Sequence, residues 1–313
     1  MRDKSITIMG SFRSKNSVER AAGSIFAAFA FIAVLAVFSI TLYMIVSGTP
    51  AVFELGLKEI LFGTVWRPTG QDAAFGILHI ILTSLVGTLG AILIGVPIGV
   101  MTAVFLAETA PKKLAGIVRP SVELLAGIPS VIYGLMGILI LNPLMYQLEL
   151  AIFKNSPNHQ FTGGSNLISA VLVLAIMILP TVISISEASI RAVPQEYKQA
   201  SLALGATRIQ TVFKVILPAA RSGIVTAIVL GVGRAIGEAM AISMVAGNGA
   251  NLPLPFHSVR FLTTAVVSEM SYATDLHKRV LFTIGLVLFV FIMLINLALN
   301  KIMKGGRKDA AAC

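Results

Sequence analysis

Apolar residues gather in six long runs, at about 21–46, 75–107, 121–141, 167–186, 222–246 and 280–299, with short polar intervals between them. About 20 apolar residues suffice to cross roughly 30 Å of hydrocarbon as a helix, and each run meets that length. The pattern predicts an all-α membrane protein with six transmembrane helices. The second run is longer than a bilayer needs, and Pro97 near its middle, flanked by Gly95 and Gly99, predicts a kink. Asn142-Pro143 predicts a stop for the third. Pro129 and Pro180 lie mid-run, where hinge and static packing are both open readings.

Composition supports the membrane reading. Of 313 residues 56% are hydrophobic and 12% charged, with a mean hydropathy of +0.90. Soluble domains carry about 25% charged residues, so this chain has too few to cover itself in water. The net charge of +10 does not indicate nucleic acid, because the basic residues are spread through short interhelical segments. Seventeen Lys and Arg fall in the N-terminal tail, the 108–120 and 187–221 links and the C-terminal tail; six fall in the alternate loops. That asymmetry predicts cytoplasmic termini. A polar stretch of about 20 residues before an overlong first run does not fit a cleavable signal peptide. The only cysteine is Cys313, which excludes an internal disulfide or a thiolate metal site. His79, His159, His257 and His277 have no second ligand at metal spacing, so no metal site is expected.

The external loops carry no chemical motif. Residues 142–166 include KNSPNHQFTGGS, a turn-forming stretch, and VRFLTTAVVSEMSYA in 247–279 reads as an amphipathic helix lying on the outer surface. Docking surface and ordinary loop packing are both open for them.

The link between the fourth and fifth runs is too ordered for a tether. Pro194 suits a first helical turn, Gln195 to Leu204 are mostly good helix formers, and Gly205 fits the position past the end. Thr207 and Gln210 have capping-box spacing for a second short helix, expected to end before Pro218. An apolar face outside the membrane, here with Tyr197, Leu202 and Leu204, needs a cover: its own bundle, lipid, or a groove in another protein.

Within GVGRAIGEAMAISMVAG, Arg234 lies twelve residues from either end of the fifth run, near the membrane midplane. An arginine there costs about 2.5–3.5 kcal/mol, so it should face protein or water. Glu238, four residues on, would share its helical face and form an ion pair. A register-fixing structural pair and a gate in an anion pathway are both open; a guanidinium fork suits oxyanions. Beside the pair runs a small-residue stripe (Gly223, Ala227, Gly231, Ala235, Ala239), with Gly233 and Gly237 as a second pair, all expected to pack helices closely. Arg119 and Glu123, also four apart, read as a solvated pair or a gate at the cytoplasmic end of the third run.

Residues Gln199, Ala200, Ser201, Gly205, Val215, Leu217 and Pro218 resemble the E-A-A-x3-G-x9-I-x-L-P coupling-helix pattern of ABC importer permeases, with Gln for Glu, Ser for the second Ala and Val for Ile. FLAETAP (105–111), ELLAGIPSVIYGLMGILILNPL (123–144) and GVGRAIGEAMAISMVAGN (231–248) are similar to phosphate-uptake permeases of the PstC type rather than the PstA type. The resemblance implies a type I ABC importer permease fold in the bacterial inner membrane, with a cytoplasmic coupling helix. It divides the chain into a tail, first span and external linker (1–70), a permease domain (71–305) and a flexible tail (306–313). It also implies inorganic phosphate as substrate and three partners: a PstA-like second permease chain, a PstB-like ATPase dimer that uses ATP and Mg, and a PstS-like external binding protein. Arg234 and Glu238 would serve the pathway or its gating.

Other function classes fit less well. The chain has no Walker loop, H-E-x-x-H, aspartate pair or G-x-S-x-G, so it is expected to be no enzyme and to bind no cofactor itself. A permease for another oxyanion such as sulfate or molybdate is the nearest alternative. An ion-gradient-driven transporter would explain the midplane charges, but would leave the ordered cytoplasmic link without a purpose.

Overall fold

The structure, a computed structural model, describes residues 6–310 apart from Gln71 and Asn158. Helices account for most of it: α1 (Ile6–Leu55), α2 (Leu57–Phe62), α3 (Leu78–Val104), α4 (Lys112–Gly127), α5 (Ser130–Met136), α6 (Asn142–Phe153) and α7 (Leu167–Arg191). Then follow α8 (Gln195–Ala203), α9 (Arg208–Thr211), α10 (Leu217–Gly237), α11 (Met240–Val245), α12 (Leu262–Glu269) and α13 (Asp275–Ala310). A two-stranded antiparallel hairpin, β1 (Trp66–Arg67) and β2 (Ala74–Phe75), lies between α2 and α3. Among the described residues, six helical stretches are long and apolar enough to span a membrane: Glu19–Leu55, Leu78–Thr109, Ser130–Phe153, Leu167–Arg191, Arg208–Gly237 and Asp275–Ala298. The six expected spans are present, with shifted ends.

Helix α7 is the centre. Glycines of α3 let its β-branched side chains approach the neighbouring backbone closely: a Cβ at Gly90 would lie 3.1 Å from Val171, at Gly95 2.7 Å from Ile178, and at Gly99 2.8 Å from Val182. Side-chain packing of this kind holds helices together in lipid, where no hydrophobic drive separates protein from solvent. The paired positions rise together along both helices, so α3 and α7 run parallel. On its other side α7 meets α10 antiparallel, Gly231 against Val182 and Gly223 against Ser189. By contrast, the most apolar window of the first span buries none of its residues within the chain. Helix α1 rests on α13 through Gly48 against Thr283 and an edge-on contact of Tyr43 with Phe282 at 5.4 Å. Only lipid or another chain can cover the rest of it.

Two expected boundaries differ for one shared reason. Each of three π turns, Phe105–Thr109, Gly137–Leu141 and Val212–Ile216, ends two residues before a proline: Pro111, Pro143 and Pro218. Proline lacks an N–H and its ring collides with the carbonyl four residues earlier. Where the helix runs on through the proline, at Pro143 and Pro218, that carbonyl belongs to the middle residue of the π turn, Leu139 or Lys214. The widened turn shifts hydrogen bonding to the residue before proline, as in Ala110 N to Phe105 O at 2.7 Å. Asn142-Pro143 is therefore no stop, and the helix continues as α6 to Phe153. Likewise α9 does not end before Pro218 but runs through its π turn into α10.

Pro97 and Pro180 lie inside α3 and α7, and Pro129 caps α5 at a break after α4. Helix α12 does not lie on the surface: Leu262, Thr263, Thr264, Ala265 and Glu269 are buried, and Leu262 N donates to Ser84 Oγ of α3 at 2.8 Å. Helix α13 continues through Ala310 into the segment expected as a tail, and Cys313 lies outside the described residues.

Candidate functional site

Arg234 sits in the last turn of α10, where the unpaired carbonyls of a helix end favour a cation by about 0.3–1 kcal/mol. Its Nη1 donates to Thr181 Oγ1 of α7 at 3.4 Å. The expected ion pair with Glu238 is not formed. The helix ends at Gly237, Glu238 takes an extended conformation (ψ 125°), and the four-residue relation on a common face is lost. Gly233 and Gly237 weaken the helix there, and the carboxylate gains a different partner. Glu238 Oε1 accepts from Ala241 N at 3.0 Å, capping α11, and its carbonyl accepts from Thr263 Oγ1 at 2.8 Å. Protein groups thus satisfy backbone freed at the break between α10 and α11, as irregular backbone within a membrane protein requires.

Part of the small-residue stripe packs as expected. Ala227, Gly231 and Ala235 are buried against α7, and any side chain at Gly223 would collide with Ser189. Among the described residues nothing packs on Gly233 or Gly237: a Cβ at either would meet nothing within 4 Å. With exposed Leu230 they form an outward face at spacings of three and four residues.

The second charged pair is also rearranged. Arg119 ignores Glu123 and reaches Glu187 of α7, Nε to Oε1 at 2.6 Å. Arg191 binds the same oxygen at 2.9 Å. Both guanidiniums also donate through Nη2 to the Leu106 carbonyl in the first π turn, at 3.2 and 3.0 Å. A cavity of about 300 Å³ lined by Arg119, Glu123, Ser184 and Arg191 opens beside them. The four-residue spacing of Glu187 and Arg191 was readable in the chain; the approach of Arg119 across 68 residues was not.

At the same end, α8 has the predicted form. Gly205 follows it at φ +86°, a left-handed conformation that glycine adopts without strain, and Thr207 with Gln210 completes the capping box. Gln199, Ala200 and Gly205 are exposed, as is Leu204, at 89%. Ser201 shares a 3.0 Å hydrogen bond with Thr211, and Leu217 packs half-buried against Ile190, Ile216 and Ala220. Pro218 is exposed at the start of α10. Lys198 Nζ bonds Glu108 Oε2 at 2.5 Å, tying α8 to the first π turn. Beside this tie lies a cavity of about 570 Å³ lined by Leu202, Ile209 and Phe213 among others.

At the opposite end two buried carboxylates hold the loops together. Glu269 takes hydrogen bonds from Trp66 Nε1 at 3.2 Å and pairs with Arg260 and with His277, the latter at 2.8 Å. Nearby, the Tyr272 phenol is raised above its ordinary value, first by burial and then by the Glu269 carboxylate, with Arg260 opposing. Glu149 accepts from Thr162 N at 3.0 Å and pairs with His159 at 2.8 Å, whose ring stacks on Phe153. Two of the four histidines thus have carboxylate partners. Among the described residues no group of three or more His, Cys, Asp or Glu is placed to hold a metal.

Comparison with known proteins matches residues 95–305 to the binding-protein-dependent transport system inner membrane component family. A probable ABC transporter permease protein, YqgH of Bacillus subtilis, is 39% identical over 85% of this chain and 86% of its own length. The phosphate transport system permease protein PstC of Pasteurella multocida is 34% identical over 80% and 82%. Among solved structures, a bacterial ABC transporter involved in import of the acidic polysaccharide alginate covers 93% of this chain and 98% of its own, with TM-score 0.61 and 16% identity, a likeness of fold. The chain is a multi-pass membrane protein of the binding-protein-dependent transport system inner membrane component family.

Proposed function

We propose that this chain is the PstC-type half of an ATP-driven importer that carries inorganic phosphate into the cytoplasm. The observation that carries the reading is Arg234, a guanidinium held by Thr181 in the final turn of a helix that stops at Gly237 and resumes as α11 at Met240. Discontinuous helices of this kind bring charges and backbone groups to the pathway in transporters. PstC proteins among the relatives supply the substrate. The chain supplies no catalysis and binds no cofactor; ATP and Mg belong to a PstB-like ATPase dimer. The exposed face of α8 docks on that dimer, with Gln199, Ala200 and Gly205 at the contact. The outward face around Gly233 and Gly237 closes against a PstA-like chain, and a PstS-like protein delivers phosphate from outside. Charge asymmetry supports cytoplasmic termini in the inner membrane.

In this reading Glu238 is not a permanent counter-ion. Its carboxylate caps α11 while Arg234 is free for the anion, and closure of the break would return it to the arginine. Radiolabelled phosphate uptake by the assembled transporter tests the proposal, with Arg234→Gln and Glu238→Gln. Both variants lose most uptake at normal expression; wild-type uptake in both would remove the role. A guanidinium fork suits any tetrahedral oxyanion. Competition by sulfate or molybdate as effective as unlabelled phosphate would shift the substrate to that class.

A further inference from the structure

Helix α7 buries most of its surface, yet one strip stays accessible. Thr181 is half-buried, and Ser184, Ala188 and Arg191 are exposed. Their spacings of three, four and three residues place them on a single helical face. The strip starts at the hydroxyl that holds Arg234 and ends about 15 Å away at Arg191, at roughly 1.5 Å per residue. Small and hydroxylated residues in place of Leu or Ile leave it unfit for lipid, and suit it to a wet seam between two permease halves.

At its end, two guanidiniums compete for one carboxylate. Arg119 and Arg191 both use Nε on Glu187 Oε1 and Nη2 on the Leu106 carbonyl. Among the described residues neither Nη1 has a partner in the chain. Glu187 is buried, whereas the two arginine side chains are 36% and 47% exposed beside the 300 Å³ cavity. Glu123 also lines the cavity, so its formal charges balance, and what the two arginines offer an anion is their unused Nη1 donors. A structural clamp would need only one arginine.

The geometry points to a second oxyanion site at the cytoplasmic mouth, where Arg119 and Arg191 bind inorganic phosphate through their free donors as it leaves the Arg234 level. The inference rests on the importer reading for its direction of flow. Glu187 keeps the site weak by occupying the same guanidiniums, and weak binding suits release. The π turn gives the site a mechanical connection: its Leu106 carbonyl touches both arginines, and its Glu108 is bound to Lys198 of α8.

Arginine modification by phenylglyoxal, read at each residue by mass spectrometry in the assembled transporter, tests the site apart from transport. Phosphate slows modification of Arg119 and Arg191 more than chloride of equal ionic strength does. Glu187→Gln lowers the half-protecting phosphate concentration about tenfold, since a charge-assisted competitor is removed. Arg234→Gln leaves that protection unchanged. Equal effects of phosphate and chloride in the wild-type complex would overturn the site, and this comparison decides the matter if Glu187→Gln does not assemble. An unshifted concentration in assembled Glu187→Gln would overturn it as well. Protection without ATP-driven phosphate uptake would sink the importer reading and keep the site; uptake without protection would do the reverse.

Discussion

In the proposed importer the tie between α8 and the first π turn would join motor to pathway, and its strength can be worked out. Helix α8 buries none of its residues. Its side-chain attachments are Lys198 to Glu108 at 2.5 Å and Ser201 to Thr211 at 3.0 Å. Solvent-exposed ion pairs contribute about 0.2–1 kcal/mol, and breaking a fully buried one costs about 3–5 kcal/mol. Here the lysine is 32% exposed and the glutamate 10%, between those limits. About 1–2 kcal/mol follows, so loss of either partner lowers the docked-to-undocked ratio of α8 about 5- to 30-fold. Lys198→Met keeps the apolar stem and Glu108→Gln keeps the shape. In proteoliposomes containing the assembled transporter, both variants continue to hydrolyse ATP but import several-fold less phosphate per ATP. The double variant is no worse than either single, giving a coupling energy of about 1–2 kcal/mol. Wild-type stoichiometry in the single variants, or strictly additive losses in the double, would refute the reasoning.

Further outcomes follow from the packing. Gly231→Val forces a side chain toward Val182, where even a Cβ would be 3.0 Å from Cγ2, and lowers stability by about 1–3 kcal/mol in a thermal unfolding assay in detergent. Gly233→Val, with nothing within 4 Å, leaves the isolated chain's unfolding temperature almost unchanged but weakens co-purification of the second permease chain. Thr207→Ala removes the hydroxyl that accepts from Gln210 N at 3.3 Å and costs about 1 kcal/mol, seen as faster amide exchange in residues 208–211. Glu269→Gln leaves Arg260 without its carboxylate partner in a buried site and destabilises the chain by about 3–5 kcal/mol, measured as earlier proteolysis at 247–279.

What could be read from the chain divides by range. Span number and the α8–Gly205–α9 element rest on composition and spacing within one or two turns, and both are present in the structure. Long-range pairings were beyond reach. Arg119 had an acid at the right spacing in Glu123, yet Glu187 is nearer once α4 lies against α7. Residues 231–247 read as continuous helix because apolar composition is blind to where a backbone break can be satisfied. That satisfaction comes from Thr263, 25 residues away in a loop helix expected on the surface. Proline was over-read as a terminator: at Pro143 and Pro218 the cost of the missing donor is absorbed by a wider turn upstream.

That use of proline bears on how motion could pass through the molecule. A π turn holds one more residue per bond than an α-turn, so it is the weakest part of a helix and the easiest to re-register. The three π turns adjoin functional candidates: one carries Leu106 and Glu108, one precedes the helix bearing Arg234, and one packs Gly137 against Val245 of α11 beyond the break at Glu238. Each is held open by a proline, and a permanently widened turn can tighten or slide without first breaking a full α-helical ladder. Uninterrupted helices would resist a displacement imposed at α8. In the proposed importer, helices that yield at these places would convert it into rotation of the α10 end, which carries Arg234.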